Sequence, residues 1–261
     1  MIQVLSPGQV EAARPAGRFV GRVLAELRER SRPGTNLLEI DEWARKMIAD
    51  EGAVSCYVDY APSFGRGPFG KVICTSVNDA VLHGLPHDYR LVDGDLLTLD
   101  FAVSVQGWVA DAAVSFIVGE TTDPADRQLI DSTRAALAAG IGQAWPGRRV
   151  GDISHAIGTV LTGAGYRVNT EFGGHGVGST MHQDPHVANN GRPGRGLKLK
   201  AGMLLAIEPW VMADTDRLIM DPDGWTLRSS TGCRTAHTEH TVAITRGGPV
   251  VLTEPGAIEG G

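Results

Sequence analysis

Asp100 closes the apolar run Leu96-Leu97-Thr98-Leu99, the pattern of a buried strand that ends on a carboxylate. An unpaired charge there is very costly, so Asp100 needs a partner. Asp111 stands on the returning strand of an expected hairpin turned at Gln106-Gly107, where both carboxylates can reach one point. Glu208 ends a matching run, Met203-Leu-Leu-Ala-Ile207, and Glu239 sits in His237-Thr-Glu-His-Thr241 ahead of the alternating segment Thr241–Thr245. Any one of these acids alone reads as a strand-end cap or a salt bridge. Four at matching places are best compensated by cations, which are often the largest local charges in a site. Gly173-Gly-His-Gly-Val-Gly178 supplies a fifth ligand candidate, His175. Its glycines are not spaced G-x-G-x-x-G and no βαβ unit surrounds them, so nucleotide binding is set aside. One imidazole with four carboxylates is an oxygen-rich set that favours Mn, Fe or Co over a thiolate zinc site. Shared carboxylates suit two ions that polarise a carbonyl and activate water.

The elements that must position these residues repeat. Apolar residues at helical spacing predict a helix over 11–31, and a second over 37–50 with Gly52 as its stop. A Gly/Pro-rich loop over 61–70, a strand-like run over 71–77 and strands over 96–105 and 108–118 follow. The same order then recurs, with helices expected over 125–144 and 150–163. Pro33, Gly34, Ile40 and Gly52 recur as Pro146, Gly147, Ile153 and Gly165 at an offset of 113, and Gly94–Asp100 matches Gly202–Glu208 at an offset of 108. Agreement in order, spacing and final carboxylate indicates an internal repeat whose period is too long for a solenoid. Two pseudosymmetric halves sharing one sheet would bring carboxylates from both to a central site.

The 261 residues, 42% hydrophobic with a net charge of −6, suffice for a sizeable core. The acidic balance and the lack of a Lys/Arg-rich run argue against a direct nucleic-acid site. No stretch is long and apolar enough to span a membrane, and the first ten residues do not read as a signal peptide. Three cysteines without a CxxC pair point to a reducing compartment, hence a cytoplasmic protein.

Val81-Leu-His-Gly-Leu-Pro86, the Asp100/Asp111 pair, Gly174-His-Gly-Val-Gly178, Ile207-Glu-Pro209 and Thr238-Glu-His-Thr241 together resemble the type I methionine aminopeptidases, from about Ser6 to Arg246. The resemblance implies an α+β "pita-bread" fold: one catalytic domain over 1–261, with pseudosymmetric halves over about 11–120 and 123–246 and a central antiparallel sheet covered by helices. It implies Asp100, Asp111, His175, Glu208 and Glu239 as ligands of two divalent ions (Co, Mn or Fe). His83 would contact the substrate near the scissile amide, His182 would stabilise the developing oxyanion, and Glu208 would also accept the proton of the attacking water. The methionine pocket would be walled by Phe69, Cys74 and Trp225, with Met181 where Phe is common. Arg66 stands where the family carries an aromatic residue, and Tyr60 or Phe64 is expected to refill that gap. His87, His155, His186, His237 and His240 receive no catalytic role. Expected partners are nascent polypeptide N-termini and the ribosome, with the enzyme itself a monomer. An Xaa-Pro aminopeptidase or prolidase is the nearest rival, and a non-catalytic binding protein of the same fold is a rival of another class. A Cys74–His83 hydrolase would leave the acid cluster unexplained.

Overall fold

The computed structural model describes residues 2–63, 65–121 and 123–254. Helices α1 (Pro7–Arg30) and α2 (Leu37–Glu51) precede strands β1 (Val54–Ser55), β2 (Cys74–Val77), β3 (Ala80–Leu82), β4 (Leu96–Val105) and β5 (Trp108–Ile117). Helices α3 (Pro124–Ile141) and α4 (Val150–Gly163) precede β6 (Gly173–Val177), β7 (Gln183–Ala188), β8 (Leu204–Ile207), β9 (Trp210–Met212), β10 (Leu218–Met220), β11 (Leu227–Ser229), β12 (Thr235–His237), β13 (His240–Thr245) and β14 (Gly248–Val251).

Local signals set most boundaries. Helix α1 begins four residues before the expected Glu11, because Ser6 and Gln9 form a capping box around Pro7 at the first helical position. Asn36 and Glu39 cap α2 in the same way, and Gly52 ends it with φ 70°. Its counterpart Gly165, past the end of α4, has φ 92°. Helix α3 stops at Ile141 rather than Ala144, short of Pro146. Strand β2 starts at Cys74 rather than Lys71, since the Val72 N–H donates to Asp41 Oδ1 at 2.7 Å instead of to a neighbouring strand.

All strand pairs are antiparallel. Strand β4 pairs with β5 over its whole length, and with β2 and β1. In the second half the order is β14-β13-β8-β6-β7, with β12 paired to β9. The long strand that β4 would match is broken after Ile207, where Pro209 lacks a ladder donor. The two sheets meet where Glu239 and Ala113 exchange backbone hydrogen bonds (2.9 and 3.3 Å), and where the Thr241 hydroxyl accepts from Asp111 N and donates to Asp111 O (2.9 and 2.8 Å).

Strand alternation then decides which face does what. On β4, Leu97, Leu99, Phe101, Val103 and Val105 join the core beneath α1 and α2, with Ala110, Ala112 and Phe116 of β5. Each large side chain so buried contributes roughly 1.5–3 kcal/mol. Leu205, Ile207, Val242 and Ile244 join the corresponding core with α3 and α4. The opposite parity carries Asp100, Asp111, Glu239 and, just past β8, Glu208. Burying the apolar face against the helices therefore turns the carboxylates to the other side. Among the described residues no helix is long and apolar enough to cross a membrane.

Candidate active site and metal centre

A cavity of about 260 Å³ lies on the helix-free side, lined by residues of both halves. All eleven predicted site residues line it: Asp100, Asp111, His175, Glu208, Glu239, His83, His182, Phe69, Cys74, Met181 and Trp225. Oxygen or nitrogen atoms of Asp111, His175 and Glu239 lie within 4.8 Å of one another, as ligands of one metal ion must. His175 Nε2 stands 3.9 Å from Asp111 Oδ2 and 3.7 Å from Glu208 Oε1. Its Nδ1 lies 3.0 Å from the Gly176 carbonyl oxygen. A carbonyl can only accept, so Nδ1 carries the proton and Nε2 keeps its lone pair toward the acids. Gly174 and Gly176 flank this histidine for packing reasons. A Cβ at Gly174 would lie 2.2 Å from the Ala206 carbonyl oxygen, and one at Gly176 would lie 2.1 Å from that of Asp184. The glycine-rich segment is thus a strand squeezed between β7 and β8.

Four carboxyls in one cleft cannot all ionise cheaply. Burial pushes Asp111, Glu208 and Glu239 well above the usual carboxylate range, and their neighbours' charges add to the shift. Burial also raises Asp100, to about 6, although the hydrogen bond from Tyr57 opposes it. The imidazoles resist protonation. Burial lowers His175 to about 3 and His83 to about 4, with His182 adding to both. Neutral imidazole beside carboxylates is the form that ligates metal. Glu239 Oε1 is buried and accepts no hydrogen bond among the described residues, a costly state for a carboxylate oxygen without a cation. The residues present fit a divalent metal.

His83 reaches the cavity from a strained position just past β3, with φ 56°. Its ring meets Phe172 edge-on at 5.6 Å. His182 stands at the mouth, 4.3 Å between ring centroids from His175 and 5.3 Å from Tyr60. Asn189 Nδ2 donates to the Glu208 carbonyl at 3.0 Å and fixes the chain there. Phe69 packs edge-on against Trp225 at 5.1 Å, and Tyr60 stands 6.2 Å from Trp225. Tyr60 lines the cavity, whereas Arg66 is exposed and lies outside it. The Arg66 stem covers Gly224, whose Cβ position is 2.7 Å from Arg66 Cδ. Phe64 falls outside the described residues. Burial and three carboxyls hold the Cys74 thiol far above its ordinary pKa, which argues against a thiolate nucleophile.

Two residues of the cluster escaped the sequence reading. The Tyr57 hydroxyl donates to Asp100 Oδ1 at 2.5 Å and lies 3.3 Å from Asp111 Oδ1. Nothing in its sequence context marks it, because its partners are distant in the chain. His237, 1% exposed, sets Nε2 3.7 Å from Glu208 Oε2 and 3.9 Å from Glu239 Oε2. Its parity with Glu239 was the available signal. Glu171, Phe172 and His186 also line the cavity.

The sequence profile described as metallopeptidase family M24 matches residues 11–246. The methionine aminopeptidase 1 of Mycobacterium tuberculosis is 41% identical, across 95% of this chain and 93% of its own. The methionine aminopeptidase of Aquifex aeolicus is 37% identical, across 97% and 99%. The crystal structure of a methionine aminopeptidase from Thermotoga maritima superposes with a TM-score of 0.91 at 36% identity, across 97% of this chain and all of that one. The chain accordingly belongs to metallopeptidase family M24, among its type I methionine aminopeptidases, and its α+β architecture is their pita-bread fold.

Proposed function

We propose that this chain removes the initiator methionine from nascent polypeptides, as a single catalytic domain whose halves, about 11–120 and 123–246, each supply part of the site. Asp100, Asp111, His175, Glu208 and Glu239 are the ligands of two divalent ions (Co, Mn or Fe). The observation that carries this reading is the convergence of these five residues, from β4, β5, β6 and the ends of β8 and β12, on one cavity. When bound, such ions polarise the scissile carbonyl and make water nucleophilic near neutral pH.

The chain's own residues do the rest. Glu208 has a carboxyl whose proton affinity burial and the neighbouring acids raise. That suits it to take a proton from the attacking water and return it to the leaving amine. His182, at the cavity mouth, stabilises the carbonyl oxygen as it becomes negative, and His83 holds the substrate amide. Phe69, Cys74, Met181 and Trp225, all buried, enclose a flexible thioether, with Tyr60 completing the wall. Cys74 serves there as a small apolar surface. The substrates are free N-termini met at the ribosome, in the cytoplasm, and the enzyme works as a monomer.

A side-by-side assay of Met-Ala-Ser, Leu-Ala-Ser and Ala-Pro peptides with chelated and Mn-, Fe- or Co-loaded protein tests the reading. Metal-dependent cleavage of Met-Ala-Ser well above the other two is expected. Equal cleavage of Leu-Ala-Ser removes the methionine specificity, and full activity in chelated protein removes the metal.

A further inference from the structure

His182 ends the turn between β6 and β7, residues 178–182, and among the described residues no hydrogen bond holds its imidazole. Only the rings of His175 and Tyr60 flank it, so the backbone of the turn sets its place. That turn has few ties of its own. The β6–β7 ladder shifts register between Gly174 and Gly176, and Ser179 and Thr180 are exposed. Within the turn Gly178 N donates to Thr180 O at 3.2 Å, and from β5 Val109 N donates to Gly178 O at 2.7 Å. The remaining ties come from Gln3, 176 positions before Ser179. Gln3 Oε1 accepts from Ser179 N at 2.9 Å and from Gln183 Nε2 at 3.0 Å, and Gln3 Nε2 donates to Ser179 Oγ at 2.7 Å. A backbone N–H can only donate, so the oxygen of this amide must face Ser179 and its orientation is fixed. Gln183 Nε2 also donates to Thr180 Oγ1 at 3.0 Å, so the network reaches both sides of His182. Gly178 leaves room for it, since a Cβ there would lie 2.3 Å from Gln3 Oε1. Two residues after Gln3, buried Leu5 donates its N–H to Gly202 O at 2.8 Å and ties this lead to the body of the fold.

We propose that Gln3 is a positioning residue for the reaction: its side-chain amide holds the β6–β7 turn so that His182 keeps the place from which it stabilises the carbonyl oxygen. The proposal rests on the role given to His182 above. Gln3 lies outside the cavity and touches no reacting group, so it acts through the turn alone. Met181, on the same turn, is 8% exposed and packed among Phe69, Cys74 and Trp225, so its part of the methionine wall survives without Gln3. His182 has no such packing to fall back on. Two of the three Gln3 bonds are exposed, and water replaces an exposed bond at little net cost, so losing them spares the fold. Catalysis is less tolerant, because a donor must already stand where charge will develop.

The test is steady-state cleavage of Met-Ala-Ser by the full chain loaded with Mn²⁺, with metal content read by elemental analysis. Gln3→Met keeps the length of the side chain and removes its polar atoms. It is expected to lower kcat roughly 10- to 100-fold, as a misplacement of about 1 Å does, with KM within ~3-fold and metal content unchanged. Gln3→Glu keeps an acceptor for the Ser179 and Gln183 donors and is expected to hold kcat within ~3-fold of wild type. Gly178→Ala drives a methyl against Gln3 Oε1, the end of a flexible side chain, and should lose as much kcat as Gln3→Met. It decides the matter if the Gln3 variant fails to fold. In a His182→Ala background Gln3→Met should cost less than about twofold, since effects that run through one residue do not add. The proposal is overturned by a kcat within twofold of wild type in Gln3→Met or Gly178→Ala, or by a loss carried by KM or metal content. Equal loss in Gln3→Glu, or the full loss repeated without His182, overturns it as well. Each of those outcomes leaves wild-type cleavage standing, whereas a wild type without metal-dependent cleavage overturns the peptidase reading and this proposal together.

Discussion

Tyr57→Phe removes one hydroxyl and keeps a ring that is 7% exposed and packs edge-on against Phe69 at 5.7 Å. The fold should therefore survive. What is lost is the 2.5 Å hydrogen bond to Asp100 Oδ1 and the longer approach to Asp111. A hydrogen bond to an ionised acceptor is worth about 1.5–3 kcal/mol net, and one to a neutral acceptor about 0.5–1.5 kcal/mol. The difference, roughly 1–1.5 kcal/mol, is how much the tyrosine favours the carboxylate form that a cation needs, which corresponds to a factor of about 5 to 15 in affinity. Metal-free Tyr57→Phe protein titrated calorimetrically with Mn²⁺ at pH 7 should thus bind about 5- to 15-fold more weakly than wild type. Its metal-free melting temperature should change little, because the buried acids are then free to share protons. The reasoning is refuted if Mn²⁺ affinity stays within twofold while the metal-free protein melts markedly lower, since Tyr57 would then be a packing residue alone.

Three further outcomes are expected. His182→Ala should keep its metal content by elemental analysis and lose roughly 10²–10³ in kcat, the usual effect of removing one oxyanion donor, and a rise in KM alone would contradict its role. Gly174→Ala places a methyl 2.2 Å from the Ala206 carbonyl oxygen, so it should cost about 1–3 kcal/mol in denaturant unfolding, and an unchanged midpoint would deny the close packing of β6 on β8. Asp100, Asp111, Glu208 and Glu239 have raised folded-state pKa values, so the stability they contribute is present at low pH and is lost as pH rises through those values. The lowered histidines add stability as pH rises through their unfolded-state value of about 6.5 and drop out of the balance only about one pH unit above it. Chelated protein should hence melt lower at about pH 8.5 than at about pH 7.5, where the histidines no longer contribute, and saturating Mn²⁺ should raise the melting temperature more at the higher pH. An equal gain at both pH values would mean that cations do not relieve the acid cluster.

Much of this was legible because the two halves state the same local rules twice. The Asn36/Glu39 capping box and the Gly52 stop of α2 are readable in sequence, and Gly165 recurs past α4 with the same left-handed backbone. The hairpin turn at Gln106-Gly107 is what brings Asp100 and Asp111 within reach of one point in the sequence, and the β4–β5 register bears this out by pairing Ala102 with Asp111. The Ser6/Gln9 box that starts α1 is equally local, yet the apolar spacing alone places that start four residues late. The failures have another origin. Val72 and Ile73 are apolar and buried, as a strand would be, but the Asp41 side chain takes the Val72 amide, a tertiary contact that no local pattern announces. Tyr57 belongs to the acid cluster only because β1 lies alongside β4.

The placement of the cluster also explains why it sits where the two halves join. A carboxylate buried beneath one helical layer would have to be compensated by that layer, at the expense of its apolar core. On the opposite face each half needs to bury only two or three polar groups, and the second half brings a histidine and the remaining acids to meet them. The seam is held by neutral bonds: Thr241 to both backbone groups of Asp111, and Ala113 to Glu239. The ladder thereby fixes the spacing of Asp111 and Glu239 independently of their charge. Repulsion among the acids then acts on side-chain protonation and leaves the backbone in place. Such a site is preorganised for cations by hydrogen bonds that do not depend on them, and its cost falls on the metal-free state. Tyr57→Phe probes the charge in that arrangement, and Gly174→Ala the packing of β6 on β8 that holds His175 beside it.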